Sequence, residues 1–180
     1  STDITVGAGG ICEYLPQEAI AFNGDRAAIN TRGKLTGVAR YLRWDIVCLG
    51  RPACGERSKQ GEVRQRLEIF RDQKPIFIGQ FCLKGGDAAS DAAFAFNAQP
   101  ILATMVYAGA ADEDAVDRIR VAQSGHSASL FSVSRLDRVI VCRYLGGRMS
   151  EAKQLLRQAW EVLREAGLGK GAAPPRIWAT

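Results

Sequence analysis

Histidine is almost absent from this sequence, which contains one residue of this type, His126, in 180. One histidine cannot build a His-rich metal centre, and it leaves a Ser or Cys nucleophile with little chance of a neighbouring base. No Cys-x-x-Cys pair occurs, and the run Gly167-Leu168-Gly169-Lys170-Gly171 has the wrong spacing for a phosphate-binding loop. These absences argue against a closed zinc site, nucleophilic catalysis and nucleotide hydrolysis, and we expect a protein that is not an enzyme.

A long apolar run is also missing. The stretch 101–111 ends at the acidic cluster Asp112-Glu113-Asp114, well short of the roughly 20 apolar residues that cross a bilayer. The first residues show neither a basic region nor the apolar core of a secretion signal. We therefore expect a cytoplasmic protein that does not contact a membrane.

The five cysteines are odd in number and mostly have apolar neighbours, which favours buried free thiols over a disulfide framework. They are Cys12, Cys48, Cys54, Cys82 and Cys142. A contact between Cys48 and Cys54 across the turn at Gly50 is the alternative.

Arginine dominates the positive charge, with eighteen of the 24 basic residues against 19 acids and a net charge of +5. The planar guanidinium suits carboxylates on a protein partner as well as phosphates. Because the basic residues are scattered and aromatic residues do not alternate with them as in a stacking platform, we predict protein partners and no nucleic acid.

Short apolar segments separated by glycine-rich turns fill the first hundred residues and predict strands. The predicted strands are Ile4–Ala8, Ile11–Leu15, Ala19–Phe22, Ala27–Thr31, Ala39–Leu49, Val63–Phe70, Ile76–Leu83 and Ile101–Tyr107, with two more at Ala128–Ser134 and Val139–Leu145. The intervals between the first eight are too short for helical crossovers, so the pairing should be antiparallel or solenoid-like.

A weak repeat favours the solenoid. Glu13-Tyr14-Leu15 followed by Glu18 resembles Arg40-Tyr41-Leu42 followed by Asp45, with Tyr14 and Tyr41 27 positions apart. Stacked rungs would place Glu18 above Asp45. Coincidence is an equal alternative, because only two copies exist.

Two helices are predicted in the second half of the chain. One begins after Asp112-Glu113-Asp114 and ends at Gly125, and the other has Ser150 as its N-cap and ends at Gly167. The predicted fold is mainly β (α+β), with a stacked short-strand, β-helix-like body and two helices toward the C-terminus. The size and the 47% hydrophobic content suit a single domain over residues 1–180.

Several acids lie in this strand-rich sequence, where glutamate is a poor β former and a buried carboxylate needs a partner. They are Glu13, Glu18, Asp45, Glu56 and Glu62. Either they pair with nearby arginines, or they line a hydrated passage that binds a divalent cation weakly. Both interpretations stay open.

Five segments, taken in order, resemble the urease accessory protein family UreD, also called UreH. They are Cys12–Glu18, Trp44–Ile46, Gly50–Arg57, Ser134–Asp137 and Pro175–Trp178. The likeness covers essentially the whole chain and corresponds to the C-terminal two thirds of the family's domain, so the family's N-terminal part has no counterpart here. Ser58 stands where the family usually has an aromatic residue.

The resemblance implies a non-enzymatic protein that docks on apo-urease and, with UreF and UreG, passes nickel to the urease active site. Nickel in transit would be the only metal, with Glu18, Asp45 and Glu56 as candidate passage residues. Replacing Glu18 and Asp45 by alanine should then lower nickel incorporation and leave the fold intact. The alternative is a non-catalytic β-rich binding module of another class.

The turn Gly50–Arg57 and the segment Pro174–Thr180 contain the candidate residues for partner binding. These are Arg51, Arg57, Arg176 and Trp178, of residue types that are enriched at protein interfaces. Deleting Pro175 to Thr180 should weaken assembly with UreF or destabilise the domain.

Overall fold

A computed structural model describes residues 1–123 and 130–179. The strands are β1 (Thr2–Val6), β2 (Ile11–Tyr14), β3 (Ala19–Ala21), β4 (Arg26–Leu35), β5 (Arg40–Leu49), β6 (Glu62–Arg71), β7 (Lys74–Lys84), β8 (Ile101–Ala108), β9 (Leu130–Leu136) and β10 (Val139–Gly146). The helices are α1 (Ala88–Asp91), α2 (Ala115–Ala122) and α3 (Met149–Leu168), and short 3-10 helices occur at Pro52–Cys54 and Arg176–Ala179. The predicted mainly β, α+β class is confirmed.

The strands form two sheets. The first sheet has the order β1-β4-β6-β7, and the second has the order β2-β5-β8-β10-β9, with β3 also paired to β5. The sheets pack face to face through alternate residues such as Tyr41, Ile69 and Val141. The helices α2 and α3 cover the other face of the second sheet. The layers are therefore sheet, sheet and helices, with one core on each side of the second sheet.

The first strands stack in parallel, as the repeat suggested, but in a different register. Thr2 lies opposite Thr31 and Ile11 opposite Arg40, so both pairs are 29 positions apart. The predicted offset of 27 was wrong by two residues, and Tyr14 lies opposite Arg43. Because side chains alternate with a period of two, a register shift of two residues leaves each side chain on the same face of the sheet. The stacking stops at β6, after which β7, β8, β9 and β10 pair antiparallel.

The long helix α3 forms where its apolar stripe predicted it, but its ends differ. The N-cap residue is Arg148, not Ser150, and no side chain caps it. The helix ends at Leu168, and the C-cap that follows is Gly169, whose φ of 64° is the left-handed conformation favoured by glycine. Gly167 lies inside the helix instead, because Tyr107 packs so closely that any larger side chain would clash.

The short helix α1 was not predicted, and α2 begins where the acidic cluster ends. Four residues that appear in the predictions lie outside the described residues. They are Gly125, His126, Ala128 and Thr180. None of the described helices has the length and apolarity that crossing a membrane requires.

The cysteines are free thiols in the described chain, and no disulfide joins Cys48 to Cys54. Cys48 and Cys142 are buried, as predicted. The prediction was wrong for Cys54 and Cys82, which are exposed because the 3-10 turn and the outer face of the first sheet place them at the surface.

Candidate functional site

Asp45 lies between the two sheets, at the middle of β5. Alternation along this strand turns Trp44 toward the helices and Asp45 toward the first sheet. Asp45 forms a salt bridge with Arg43, and the two residues are 9% and 1% exposed. Burial raises the pKa of Asp45, an effect that Arg43 and Gln65 only partly offset. The Arg43 guanidinium also lies 5.6 Å from the ring centroid of Tyr14.

Asp45 reaches a cavity of about 420 Å³ between the sheets. Gln65 from β6 is the other buried polar residue at this cavity. Most of the remaining wall is apolar and includes Phe77, Phe81, Phe96 and Phe131. The cavity therefore combines a mainly apolar, aromatic wall with the two buried polar residues Asp45 and Gln65.

Glu18 lines a second cavity, of about 370 Å³, between the second sheet and α3. Its carboxylate accepts a hydrogen bond of 2.9 Å from the Lys153 ammonium. Trp44 Nε1 donates to the Pro16 carbonyl at 3.0 Å, which fixes the turn that leads to Glu18. Trp178 lines the same cavity, with its ring centroid 4.8 Å from that of Trp44. The structure thus brings together Glu18, which was predicted to contact nickel, and Trp178, which was predicted to bind a partner.

Glu18 and Asp45 face cavities on opposite sides of β5. The prediction that stacked rungs would place Glu18 above Asp45 was therefore wrong. The reason is local: β3 begins only at Ala19, with Ala19 opposite Val47, and the turn before it carries Glu18 toward α3.

The Glu18–Lys153 pair should make stability depend on pH. Burial alone would raise the pKa of Glu18, but the hydrogen bond from Lys153, a backbone hydrogen bond and the charge of Lys153 together outweigh it and hold the pKa below the ordinary 4.5. A carboxylate with a lowered folded-state pKa stabilises the fold above its unfolded-state pKa, and the contribution disappears as pH falls through the folded value. We expect Glu18→Gln to cost less than about 1 kcal/mol near neutral pH, because Lys153 is 42% exposed.

The unaltered protein and the Glu18→Gln variant should differ in their urea unfolding midpoints near neutral pH, and this difference should shrink below about pH 4.5. Glu161→Gln, which removes a carboxylate 3.6 Å from Arg157 on α3 and leaves the Glu18–Lys153 pair in place, is the control and should have a smaller effect. A Glu18→Gln difference that stays constant down to pH 3.5 would contradict this assignment.

Glu56 joins two turns. Its carboxylate accepts a hydrogen bond of 2.9 Å from the Asn23 backbone N–H and forms a salt bridge of 2.6 Å with Arg51. These two contacts, the Asn23 bond first, lower the pKa of Glu56. Gly50 permits this arrangement, because its φ is 77° and a Cβ there would lie 2.6 Å from the Glu56 carbonyl oxygen.

The four predicted partner-binding residues differ in whether their side chains are free to contact another protein. Arg57 and Arg176 are exposed, and neither forms a salt bridge within the described part of the chain. Arg51 already forms a salt bridge with Glu56. Trp178 is half-buried and packs between Trp44 and Trp160, at 4.9 Å from the latter, so it also closes the core.

The three predicted nickel residues do not meet in one place. Each has a basic partner, which is Lys153 for Glu18, Arg43 for Asp45 and Arg51 for Glu56. Among the described residues, no three His, Cys, Asp or Glu side chains are grouped as a metal site would need. The ion-pair interpretation thus holds for all three acids, and their role in nickel transit stays a prediction.

Sequence reasoning missed Lys153, Gln65 and the partners of Glu13. The Glu13 carboxylate accepts from Trp160 Nε1 at 2.7 Å and pairs with Arg164 at 3.2 Å. No local signal could have revealed these contacts, since Lys153 is 135 positions from Glu18 and Trp160 is 147 from Glu13.

Comparison with known proteins connects this architecture to one family. The family described as UreD urease accessory protein matches residues 1–179. The chain is 67% identical over 180 residues to "Urease accessory protein UreD 2" of Brucella anthropi, covering all of the chain and 66% of that protein. It is 37% identical over 178 residues to "Urease accessory protein UreD" of Pseudomonas fluorescens, covering 99% of the chain and 63% of the relative. The chain thus spans about two thirds of the length of these relatives.

Proposed function

The chain belongs to the UreD family of urease accessory proteins, and on that basis we propose that it docks on apo-urease and, with UreF and UreG, supports nickel delivery to the urease active site. The observation that carries the proposal is the family match over residues 1–179. Family membership also removes the alternative of a β-rich binding module of another class. The proposed partners are proteins, which agrees with an arginine-rich surface that can contact carboxylates.

Glu18 is the stronger candidate for transient contact with nickel. A carboxylate oxygen binds divalent cations, but here the ion must first displace a basic side chain. Lys153 is 42% exposed and can swing into water when it leaves Glu18. Arg43 is buried, so it cannot leave Asp45 in the same way. Competition with an ammonium group keeps metal affinity low, which suits an ion that must be passed on.

Glu56 is a weaker candidate for nickel contact. Two hydrogen-bonding partners, the Asn23 N–H and Arg51, already use its carboxylate to hold two turns together. Arg57 and Arg176 are the better candidates for docking, because they are exposed and have no carboxylate partner among the described residues. A guanidinium of this kind can accept a carboxylate of urease or UreF without first breaking an internal contact.

The test is co-expression of the full-length protein with the urease subunits, UreF and UreG, followed by co-purification and measurement of nickel per urease active site. Glu18→Gln should lower nickel content several-fold and leave the complex intact, whereas Glu161→Gln should leave both unchanged. Arg176→Gln should weaken co-purification. Normal nickel content with Glu18→Gln would remove Glu18 from the proposal, and failure of the unaltered protein to co-purify with urease would remove the docking.

A further inference from the structure

We propose that a cavity lined by Arg40, Arg71 and Arg138 binds an oxyanion. The cavity has a volume of about 240 Å³ and lies where several strands end. Arg40 begins β5, Arg71 ends β6, and Arg138 lies in the turn between β9 and β10. Gly109 and Ala110, which follow β8, complete one wall. Three cations from distant parts of the sequence therefore meet at one site.

Backbone carbonyls hold two of the three guanidinium groups. Arg40 Nη1 donates to the Gly167 carbonyl at 3.1 Å. Arg71 donates to the carbonyls of Gly37 and Ala108. These acceptors are neutral, so they orient the guanidinium groups and leave the charge uncompensated. The N–H groups that remain can donate to a further acceptor in the cavity.

No carboxylate in the described part of the chain neutralises this cluster. None of the three arginines forms a salt bridge with a described residue, although half of the arginines in the chain do. Asp72, next to Arg71 in sequence, accepts from the Gly37 N–H instead. Three adjacent positive charges repel one another, and an anion between them relieves the repulsion.

Close packing beside the cavity keeps Arg40 in position. A Cβ at Gly109 would lie 3.0 Å from Arg40 Cγ and 2.7 Å from the Tyr107 hydroxyl, so a glycine is needed for both to fit. The Tyr107 hydroxyl donates to the carbonyl of Ala110 or Gly167. Burial raises the pKa of Tyr107 to about 12, against the opposing charges of Arg40, Arg71 and Arg135. The packing at Gly109 and the hydrogen bond to the Gly167 carbonyl thus fix Arg40 beside the cavity.

Guanidinium groups in fixed orientation bind planar or tetrahedral oxyanions through paired N–H donors. The oxyanion could be a free phosphate-type ion or a carboxylate from an acidic segment of a partner protein. Both share the same chemistry, and the cavity is large enough for one such group. This site is separate from the residues proposed for nickel and does not depend on them.

The test is isothermal titration of the full chain at neutral pH, in a buffer without oxyanions, with two probes. One probe is inorganic phosphate, and the other is a short peptide with two adjacent glutamates. We expect saturable binding of at least one probe at a single site. Arg138→Gln should weaken it about tenfold, the equivalent of roughly 1.4 kcal/mol.

Arg138 suits this substitution because it is exposed in a turn and its side chain supports no other described residue. Arg26→Gln is the matched control, since it removes the same charge from an exposed arginine that forms no salt bridge with a described residue and that begins β4, away from the cavity. Tighter binding of phosphate would identify a free ion as the ligand, and tighter binding of the peptide would identify a partner's carboxylate. Absence of saturable binding by both probes, or equal weakening by Arg26→Gln, would overturn the site.

Discussion

Replacement of Asp45 by alanine is expected to lower the free energy of unfolding by about 3 to 5 kcal/mol, because it leaves the buried Arg43 guanidinium without its carboxylate. Arg43 is 1% exposed and lies between two sheets, so without Asp45 its guanidinium stays buried with no counter-charge. Urea unfolding, followed by tryptophan fluorescence, measures the loss. The sequence alone suggested that this substitution would leave the fold intact, and the position of Arg43 changes that expectation.

Two further variants separate the effect of the unpaired charge on stability from the effect of lost packing. Asp45→Asn keeps an oxygen that can accept from Arg43, so it should cost less than Asp45→Ala. The double variant Arg43→Met with Asp45→Leu removes both charges and should recover much of the stability, since apolar pairs often replace buried ion pairs at little cost. A loss below about 1 kcal/mol for Asp45→Ala would contradict the prediction.

Trp160→Ala is expected to lower the free energy of unfolding by about 3 to 5 kcal/mol. Trp160 is 1% exposed, and its ring packs edge-on against Trp178 with centroids 4.9 Å apart. The substitution opens a cavity between α3 and the second sheet. It also removes the 2.7 Å hydrogen bond to Glu13. Urea unfolding and near-ultraviolet circular dichroism measure the loss of stability and of aromatic packing.

Trp160→Phe keeps one aromatic ring in the core but removes the N–H donor and the second ring of the indole, so it opens a smaller cavity than Trp160→Ala. It should cost about 1 to 2 kcal/mol, since Glu13 keeps its contact with Arg164. Trp178→Ala is the positional control and should cost less than Trp160→Ala, because Trp178 is only half-buried. Equal losses at the two positions would show that Trp160 does not anchor this core.

These variants also separate folding from nickel transfer. Asp45→Ala changes stability as well as a candidate metal ligand, so a loss of nickel incorporation in this variant has two explanations. Glu18→Gln does not have this problem, because its partner Lys153 can be solvated. The structure therefore selects Glu18, and not Asp45, as the position at which the nickel proposal is tested.

Local patterns predicted the elements because strands and helices bury one face with a fixed period. The alternation that places Trp44 on one side of β5 and Asp45 on the other is present in the sequence. The apolar stripe of α3 was equally visible. The ends of α3 could not be predicted in the same way. Gly169 is the C-cap, whereas Gly167 lies inside the helix, where it leaves room for the Tyr107 ring. That choice depends on β8, about sixty positions away in the chain.

By itself, the sequence determined the mainly β class, most strand positions, the apolar stripe of α3 and the family. Only the tertiary structure decided the partners: Lys153 for Glu18, Trp160 for Glu13 and the shared cavity of Arg40, Arg71 and Arg138. The physical reason is that backbone periodicity fixes the direction in which a side chain points. The residue that it meets depends on register and on the packing of layers that are distant in the chain.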